Sequence, residues 1–139
     1  MDGGLRTLFR QHLPQLHWQS IESGITGGGI PDANYCHDGI EGWIEFKQTK
    51  AWAVAIKPEQ VGWIIRRKRA GGNVYIAVRR QKLRKYEPVD ELWLIDGSAA
   101  REVRDTGLKH LYHGAGLLLR TTGGPSCWNW DEVLSHLLG

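Results

Sequence analysis

The stretch PDANYCHDGIEGWIEFKQ, residues 31–48, decides how this chain folds. Ala33 to Cys36 reads as a short strand, and Asp38-Gly39 within His37-Asp38-Gly39 is a hairpin signal. Gly42 to Gln48 is then the returning strand. On it Trp43, Glu45 and Lys47 point one way and Ile44 and Phe46 the other, because side chains alternate along a strand. The alternation predicts Ile44 and Phe46 on the core face, with Glu45 and Lys47 together on the opposite face and Trp43 beside them. The hairpin folds Asp32 back beside Glu45, so two carboxylates and one ammonium converge on one spot.

Downstream, Lys57-Pro58-Glu59 opens the clearest helix: proline fits the first helical position and a glutamate the first turn. Val61, Ile64 and Ile65 form its core stripe, and Gly71-Gly72 ends it. Asn73 to Val78 is a strand of β-formers. A helix between two strands implies a right-handed crossover and parallel pairing. Upstream, Leu5, Leu8, Phe9 and Leu13 recur at helical spacing over Gly4 to Leu13, and Pro14 stops the run. Leu16 to Ile21 reads as a strand or an irregular extension. Ser23 to Gly29 holds four glycines in seven residues and is a loop, without the Gly-Lys-Ser/Thr signature of a nucleotide-binding loop. Its glycines suit either close approach of backbone to a ligand or a tight bend.

Farther on, Arg79 to Glu87 reads as a basic loop, Leu92 to Ile95 as a strand and Leu117 to Leu119 as a last edge strand, while residues 99–115 stay undecided. Asn129 with Glu132 three residues later is a capping box for a terminal helix burying Val133, Leu134, Leu137 and Leu138. This order predicts a single α/β domain over residues 1–139, a mixed sheet flanked by helices.

Composition agrees. The chain has 139 residues, of which 41% are apolar, with charges mixed throughout, as in a globular domain with its own core. It contains no apolar run of membrane-spanning length, and Met1 to Phe9 carries no signal-peptide pattern. Cys36 and Cys127 are too few for a disulfide framework and read as two free buried thiols. An intracellular protein is expected. The histidines lack metal-ligand spacing with the cysteines, which argues against zinc. Seven tryptophans are spread widely, predicting core and subunit-interface roles, and the apolar residues 51–56 suit an interface segment.

Net charge is only +3, but Lys57 to Lys85 holds ten basic residues and one acid, Glu59. Such a stripe suits a polyanion, because each phosphate contacted releases counterions. The candidate DNA contacts are Lys57, Arg66, Arg67, Arg69, Arg79, Arg80, Lys82, Arg84 and Lys85. A solvated helix face followed by a charged loop is the plainer alternative.

Asp32, Glu45 and Lys47 offer what phosphodiester hydrolysis needs. Carboxylate oxygens bind Mg²⁺, which polarises a phosphoryl oxygen and acidifies bound water. A lysine orients the attacking water or neutralises phosphate charge. The Phe46 backbone carbonyl, flanked by both side chains, is a further candidate ligand. Glu-x-Lys by itself is common on solvated strands; Pro31-Asp32 upstream, with a turn between, makes the pattern more specific.

Pro31-Asp32 … Glu45-Phe46-Lys47 resembles the active-site motif of the PD-(D/E)xK nuclease superfamily. More narrowly, Gly29-Ile30-Pro31-Asp32, Trp43-Ile44-Glu45-Phe46-Lys47, Pro58-Glu59-Gln60 and Ala70-Gly71-Gly72 resemble virus-type replication-repair nuclease domains and related phage endonucleases, including Holliday-junction-resolving ones. The likeness covers roughly residues 18–80. It implies a restriction-endonuclease-like fold and an Mg²⁺-dependent DNA endonuclease in which Mn²⁺ substitutes. It implies Asp32 and Glu45 as metal carboxylates, the Phe46 carbonyl beside them, Lys47 as catalytic lysine and Gln60 as support from the crossover helix. Glu22 would assist the metal directly or through water, although many relatives carry this acid on the N-terminal helix. Branched DNA as partner and a homodimer with paired sites follow from the same likeness, as does the host cytoplasm for a phage-encoded chain. A nucleic-acid-binding module without catalysis, a site-specific DNA nuclease and an interaction protein are the rival readings.

Overall fold

In the computed structural model, which describes residues 2–22 and 28–139, the Asp38-Gly39 turn closes the expected hairpin. Both turn residues have positive φ, 49° and 81°, the pattern of a two-residue hairpin turn matched to strand twist. The turn joins β2 (Ala33–His37) to β3 (Ile40–Thr49). A helix, α2 (Pro58–Arg69), then carries the chain to β4 (Val74–Lys82), which pairs parallel with β3. The remaining elements are α1 (Leu5–His12), β1 (His17–Ser20), β5 (Val89–Asp96), α3 (Ala100–Thr106), β6 (Leu117–Thr121) and α4 (Trp130–Leu138). The six strands form one mixed sheet in the order β1-β2-β3-β4-β5-β6, antiparallel everywhere except at β3–β4.

Each face of the sheet carries a core. On one, Ile44 and Phe46 of β3 join Tyr35, Tyr75, Ala77, Leu92 and Leu94 beneath Leu5 and Phe9 of α1 and Val133 and Leu137 of α4. On the other, Ile76, Val78, Trp93 and Ile95 pack under Val61 and Ile64 of α2 and Val103 of α3. This second core covers the face shared by Glu45 and Lys47, as a solvated strand would not allow, and Glu45 is only 2% exposed.

β4 is also longer than its β-forming run. It extends through Lys82, so Arg79, Arg80 and Lys82 lie in a strand and not in a basic loop. The cause is across the strand pair: Arg79 meets Asp90 at 2.7 Å and Arg80 meets Glu91 at 2.9 Å, so charges that read as soluble loop are matched on β5. In the segment 51–56, Val54 and Ile56 are buried in the α2-side core while Ala51, Ala53 and Ala55 are exposed. Cys36 is half-buried and Cys127 exposed; both are free thiols, but neither is the buried one expected. Among the described residues no helix is long and apolar enough to cross a membrane.

α4 is fastened at both ends. Asn129 accepts from the Glu132 N–H at its start (3.1 Å), one half of the expected capping box, while its own N–H donates to Thr121 Oγ1 (3.1 Å). Near its end, two tyrosines from the sheet donate to carbonyls that lack helical partners: Tyr35 to Leu137 (2.6 Å) and Tyr75 to His136 (3.0 Å). Tyr35 reaches that carbonyl because Gly42, opposite it on β3, has no side chain; a Cβ there would overlap the Tyr35 hydroxyl and ring. Gly42→Ala is therefore expected to destabilise the protein by about 1–3 kcal/mol, and Tyr35→Phe by ~1 kcal/mol through loss of the hydrogen bond. Because Tyr35→Phe partly relieves the clash, the double variant should lose less than the two singles together. Thermal melts of the four proteins measure this, and simple additivity would refute the steric account.

Candidate active site

β3 is ten residues long, and β2 pairs with only its first five, Ile40 to Ile44. Beyond that point one edge of β3 has no neighbouring strand, and a cleft of about 590 Å³ opens there. The N-terminal ends of both α1 and α2 reach it. It is lined by Asp32, Glu45, Phe46 and Lys47 from the hairpin, Lys57 and Gln60 from α2, and Asp2, Arg6 and Thr7 from the start of the chain.

The structure thus brings together four of the five residues expected to be catalytic. Asp32 stands where the next β2 partner of β3 would be, and its Oδ2 accepts from the Phe46 N–H at 2.9 Å in place of a strand. Glu45, Lys47 and Gln60 form a closed triangle. Lys47 Nζ lies 3.2 Å from Glu45 Oε2 and 3.1 Å from Gln60 Oε1, and Gln60 Nε2 donates to Glu45 Oε2 at 3.0 Å. Gln60 is itself oriented by the helix start, since its Oε1 accepts from the Lys57 N–H at 2.9 Å. Gly29 brings the neighbouring loop against this helix start: its φ is +83°, and a Cβ there would run into the Glu59 carbonyl. Close backbone approach is thus the use of this glycine, though to a helix and not a ligand. Residues 23–27 of the expected glycine loop lie outside the described residues.

Glu22 is placed differently. The Ile21 N–H donates to the Asp32 carbonyl at 2.8 Å, so the backbone passes the site, but the Glu22 side chain is exposed and does not line the cleft. The third acid at the cleft is Asp2. It is engaged in capping α1, accepting from the Gly4 N–H at 2.8 Å and the Arg6 N–H at 3.3 Å.

The electrostatics centre on Glu45. Its carboxyl is pushed up to about 7, by burial first and then by the adjacent Asp32 charge, against the pull of Lys47. Its second oxygen, Oε1, is buried with no hydrogen-bond partner among the described residues. Among the described residues the other buried side-chain atom in that condition is Nε of Arg6, in the same cleft.

A hard divalent cation fits this donor set. Glu45 Oε1 wants a positive partner, and Asp32 is beside it. An extended residue points its N–H and C=O to the same side, so the Phe46 carbonyl faces Asp32 as its N–H does. Among the described residues no three His, Cys, Asp or Glu side chains are grouped for a metal. Two carboxylates, a carbonyl and water is nevertheless a donor set that Mg²⁺ accepts, since it keeps several waters and takes oxygens from substrate.

The basic residues divide. Arg79 is bound to both Asp90 oxygens and to the Gly3 carbonyl, and Arg80 to Glu91 and the Ala51 carbonyl. Both are thus held in contacts within the protein. Arg120, which sequence reasoning passed over, completes the Glu91 cluster at 2.6 Å. Arg67 lies over Trp63 and Trp43, 4.8 and 5.4 Å from their ring centres. Arg66 and Arg69 are exposed at the far end of α2, whereas Lys82, Arg84 and Lys85 gather at the β4–β5 turn. The nine residues of β4 separate these groups by about 25 Å. They are not one surface, although they adjoin in sequence. Arg6 was also missed; its signal was a cation on α1 next to the buried Leu5.

Comparison with protein-family models and with characterised proteins finds no match.

The raised Glu45 has a thermodynamic consequence. The folded metal-free protein holds that proton more tightly than the unfolded chain, whose glutamates ionise near 4.5. The resulting stabilisation is full below pH about 4.5 and is lost as pH rises through about 7. With EDTA present, the stability difference between wild type and Glu45→Gln should therefore shift against wild type across that window, by a few kcal/mol as an order of magnitude. Added Mg²⁺ should restore wild type alone. Denaturant melts from pH 4 to 8 test it, and parallel profiles for the two proteins would refute the buried, protonated Glu45.

Proposed function

We propose that this chain is a metal-dependent nuclease of the PD-(D/E)xK type, with a restriction-endonuclease-like fold, that hydrolyses phosphodiester bonds in DNA. The observation carrying this reading is the buried, unpartnered Oε1 of Glu45 beside Asp32, on a strand whose next outward residue is Lys47. A purely structural ion pair would satisfy both carboxylate oxygens; this one leaves an oxygen for a cation. A binding module without catalysis needs no such arrangement.

In this reading Asp32, Glu45 and the Phe46 carbonyl would hold Mg²⁺. When bound, the cation supplies Lewis acidity to the phosphate and acidifies water. Lys47 then orients the attacking water. That water's oxygen forms a bond to phosphorus and the bond to the leaving sugar oxygen breaks; the water's proton passes to bulk solvent and the departing oxygen takes one from it. Gln60 keeps Lys47 and Glu45 in register through its two hydrogen bonds. Lys57 lines the cleft, and Lys82 and Arg84 line a groove that adjoins it through Gln48. That path suits backbone phosphates and not a long base readout.

The direct test is a panel of duplex, nicked, flap and four-way DNA with Mg²⁺, Mn²⁺ or EDTA. Cleavage should need the metal. Lys47→Ala should reduce it by roughly 10²–10⁴-fold while still binding DNA, and Glu45→Gln should lose metal binding by calorimetry. Metal-independent cleavage, or a folded Lys47→Ala of normal turnover, would refute the assignment.

The same reading orders the basic residues. Replacing Lys82, Arg84 and Lys85 by Gln should flatten the dependence of log K on log salt, by up to about 0.9 for each phosphate no longer neutralised. Replacing Arg66, Arg67 and Arg69 should flatten it less, because they lie at the other end of β4. Titrations on Lys47→Ala backgrounds at several salt concentrations measure both slopes; the reverse order would place the DNA path along α2.

A further inference from the structure

Arg6 is an unusual cation for a half-buried ion pair. It points from α1 into the cleft, about one third of its side chain is exposed, and its Nη2 stands 3.6 Å from Asp32 Oδ1. That separation is long for a hydrogen bond. Its Nε is buried with no partner among the described residues. Elsewhere the partly buried arginines are satisfied: Arg79 holds Asp90 through Nε and Nη2, and Arg120 holds Glu91 through the same two atoms. A buried N–H left without an acceptor is costly, so the position calls for one. The Asp32 carboxylate is the neighbour, but its Oδ2 accepts from the Phe46 N–H and its Oδ1 stands nearest Arg6 Nη2, so neither oxygen is bonded to Nε.

The unmatched donor and the unmatched acceptor of this cleft are complementary in kind. Glu45 Oε1 asks for a cation and Arg6 Nε for an anion. A phosphate diester with its divalent counter-ion supplies both. A guanidinium edge presents parallel N–H donors that match two oxygens of one phosphate, which a lysine does not.

We propose that Arg6 is a further catalytic residue of the site, the ligand of a non-bridging oxygen of the phosphate being cleaved. This rests on the nuclease reading above. The interaction strengthens as negative charge builds on the equatorial oxygens in the transition state, so its effect is on turnover more than on affinity. Its positive charge also opposes a cation at Asp32, so metal and arginine do not act as one structural unit.

The test uses the full chain, Arg6→Ala and Arg6→Lys, with oligonucleotides carrying a single phosphorothioate of known configuration at the cleaved linkage. Calorimetry with Mn²⁺ is run in parallel. Wild type should cleave one diastereomer slowly in a way that Cd²⁺ does not relieve, since sulfur there faces Arg6 and not the metal. Arg6→Ala should lose roughly 10²–10³-fold in turnover on ordinary DNA, lose that stereoselectivity, and bind Mn²⁺ as tightly as wild type or more so. Arg6→Lys should recover part of the turnover and, keeping a charge and most of the stem, serves if Arg6→Ala fails to fold. The proposal is overturned if Arg6→Ala cleaves normally or if no such diastereomer exists for wild type. It is equally overturned if metal affinity falls in step with turnover while stereoselectivity persists, for then Arg6 only holds Asp32. A wild type that cleaves no substrate refutes the nuclease reading itself; a cleaving wild type with an indifferent Arg6 refutes this one alone.

Discussion

From Phe46 onward one edge of β3 has no strand beside it, because β2 begins only at Ala33. A main-chain N–H cannot be left unpaired at such a place without loss, and here the side chain of Asp32 accepts it. The site follows from that substitution. It fixes one carboxylate beside Glu45, holds the open edge in strand conformation as far as Thr49, and leaves a gap that the starts of α1 and α2 can border. Had β2 run three residues further back, its backbone would fill the cleft and Asp32 would have no role in it.

Burial works against stability here. Glu45 sits among the side chains of the α2 core, with its ammonium partner and Gln60 on one oxygen and nothing on the other. Contrast Glu91, which is also buried. Burial raises it, yet the hydrogen bonds from Arg120, Arg80 and Trp93 hold it below the usual carboxylate range. Both are buried glutamates, and what separates them is the number of donors and the Asp32 charge beside Glu45. The saturated one staples β4, β5 and β6 together. The under-saturated one is kept at a point where a charged ligand would complete it, and strongly perturbed groups gather at such points.

The same distinction sorts the cations. Charge density along the chain marks Lys57 to Lys85 as one stripe, but charge in sequence and charge at a surface are different quantities. Arg79 and Arg80 are neutralised by their cross-strand acids, and β4 carries the rest to opposite ends of the sheet. What remains near the cleft is Lys57 and the β4–β5 turn.

Much of this was legible without coordinates. The Asp-Gly turn, the alternation over Trp43 to Lys47, the Pro58 helix start and the Asn129 cap are local rules, each decided by residues a few positions apart, and each element is where those rules put it. They also determine that Asp32, Glu45 and Lys47 meet, since a two-residue turn fixes hairpin register and register fixes which side chains share a face. Gln60 was reached through resemblance, and the helix start gives its physical reason. What local rules do not contain is what lies on the far side of a strand or at the end of a distant helix. That Glu45 is buried depends on α2 and α3 covering its face; that Arg79 and Arg80 are bound depends on β5 coming alongside; that Arg6 enters the cleft depends on α1 packing through Leu5 and Phe9 onto the opposite face of the sheet. Desolvation and ion pairing arise from surroundings supplied by residues tens of positions away, so the sequence by itself determined which groups are present and how the hairpin aligns them, and only the tertiary structure decided which of their charges are satisfied.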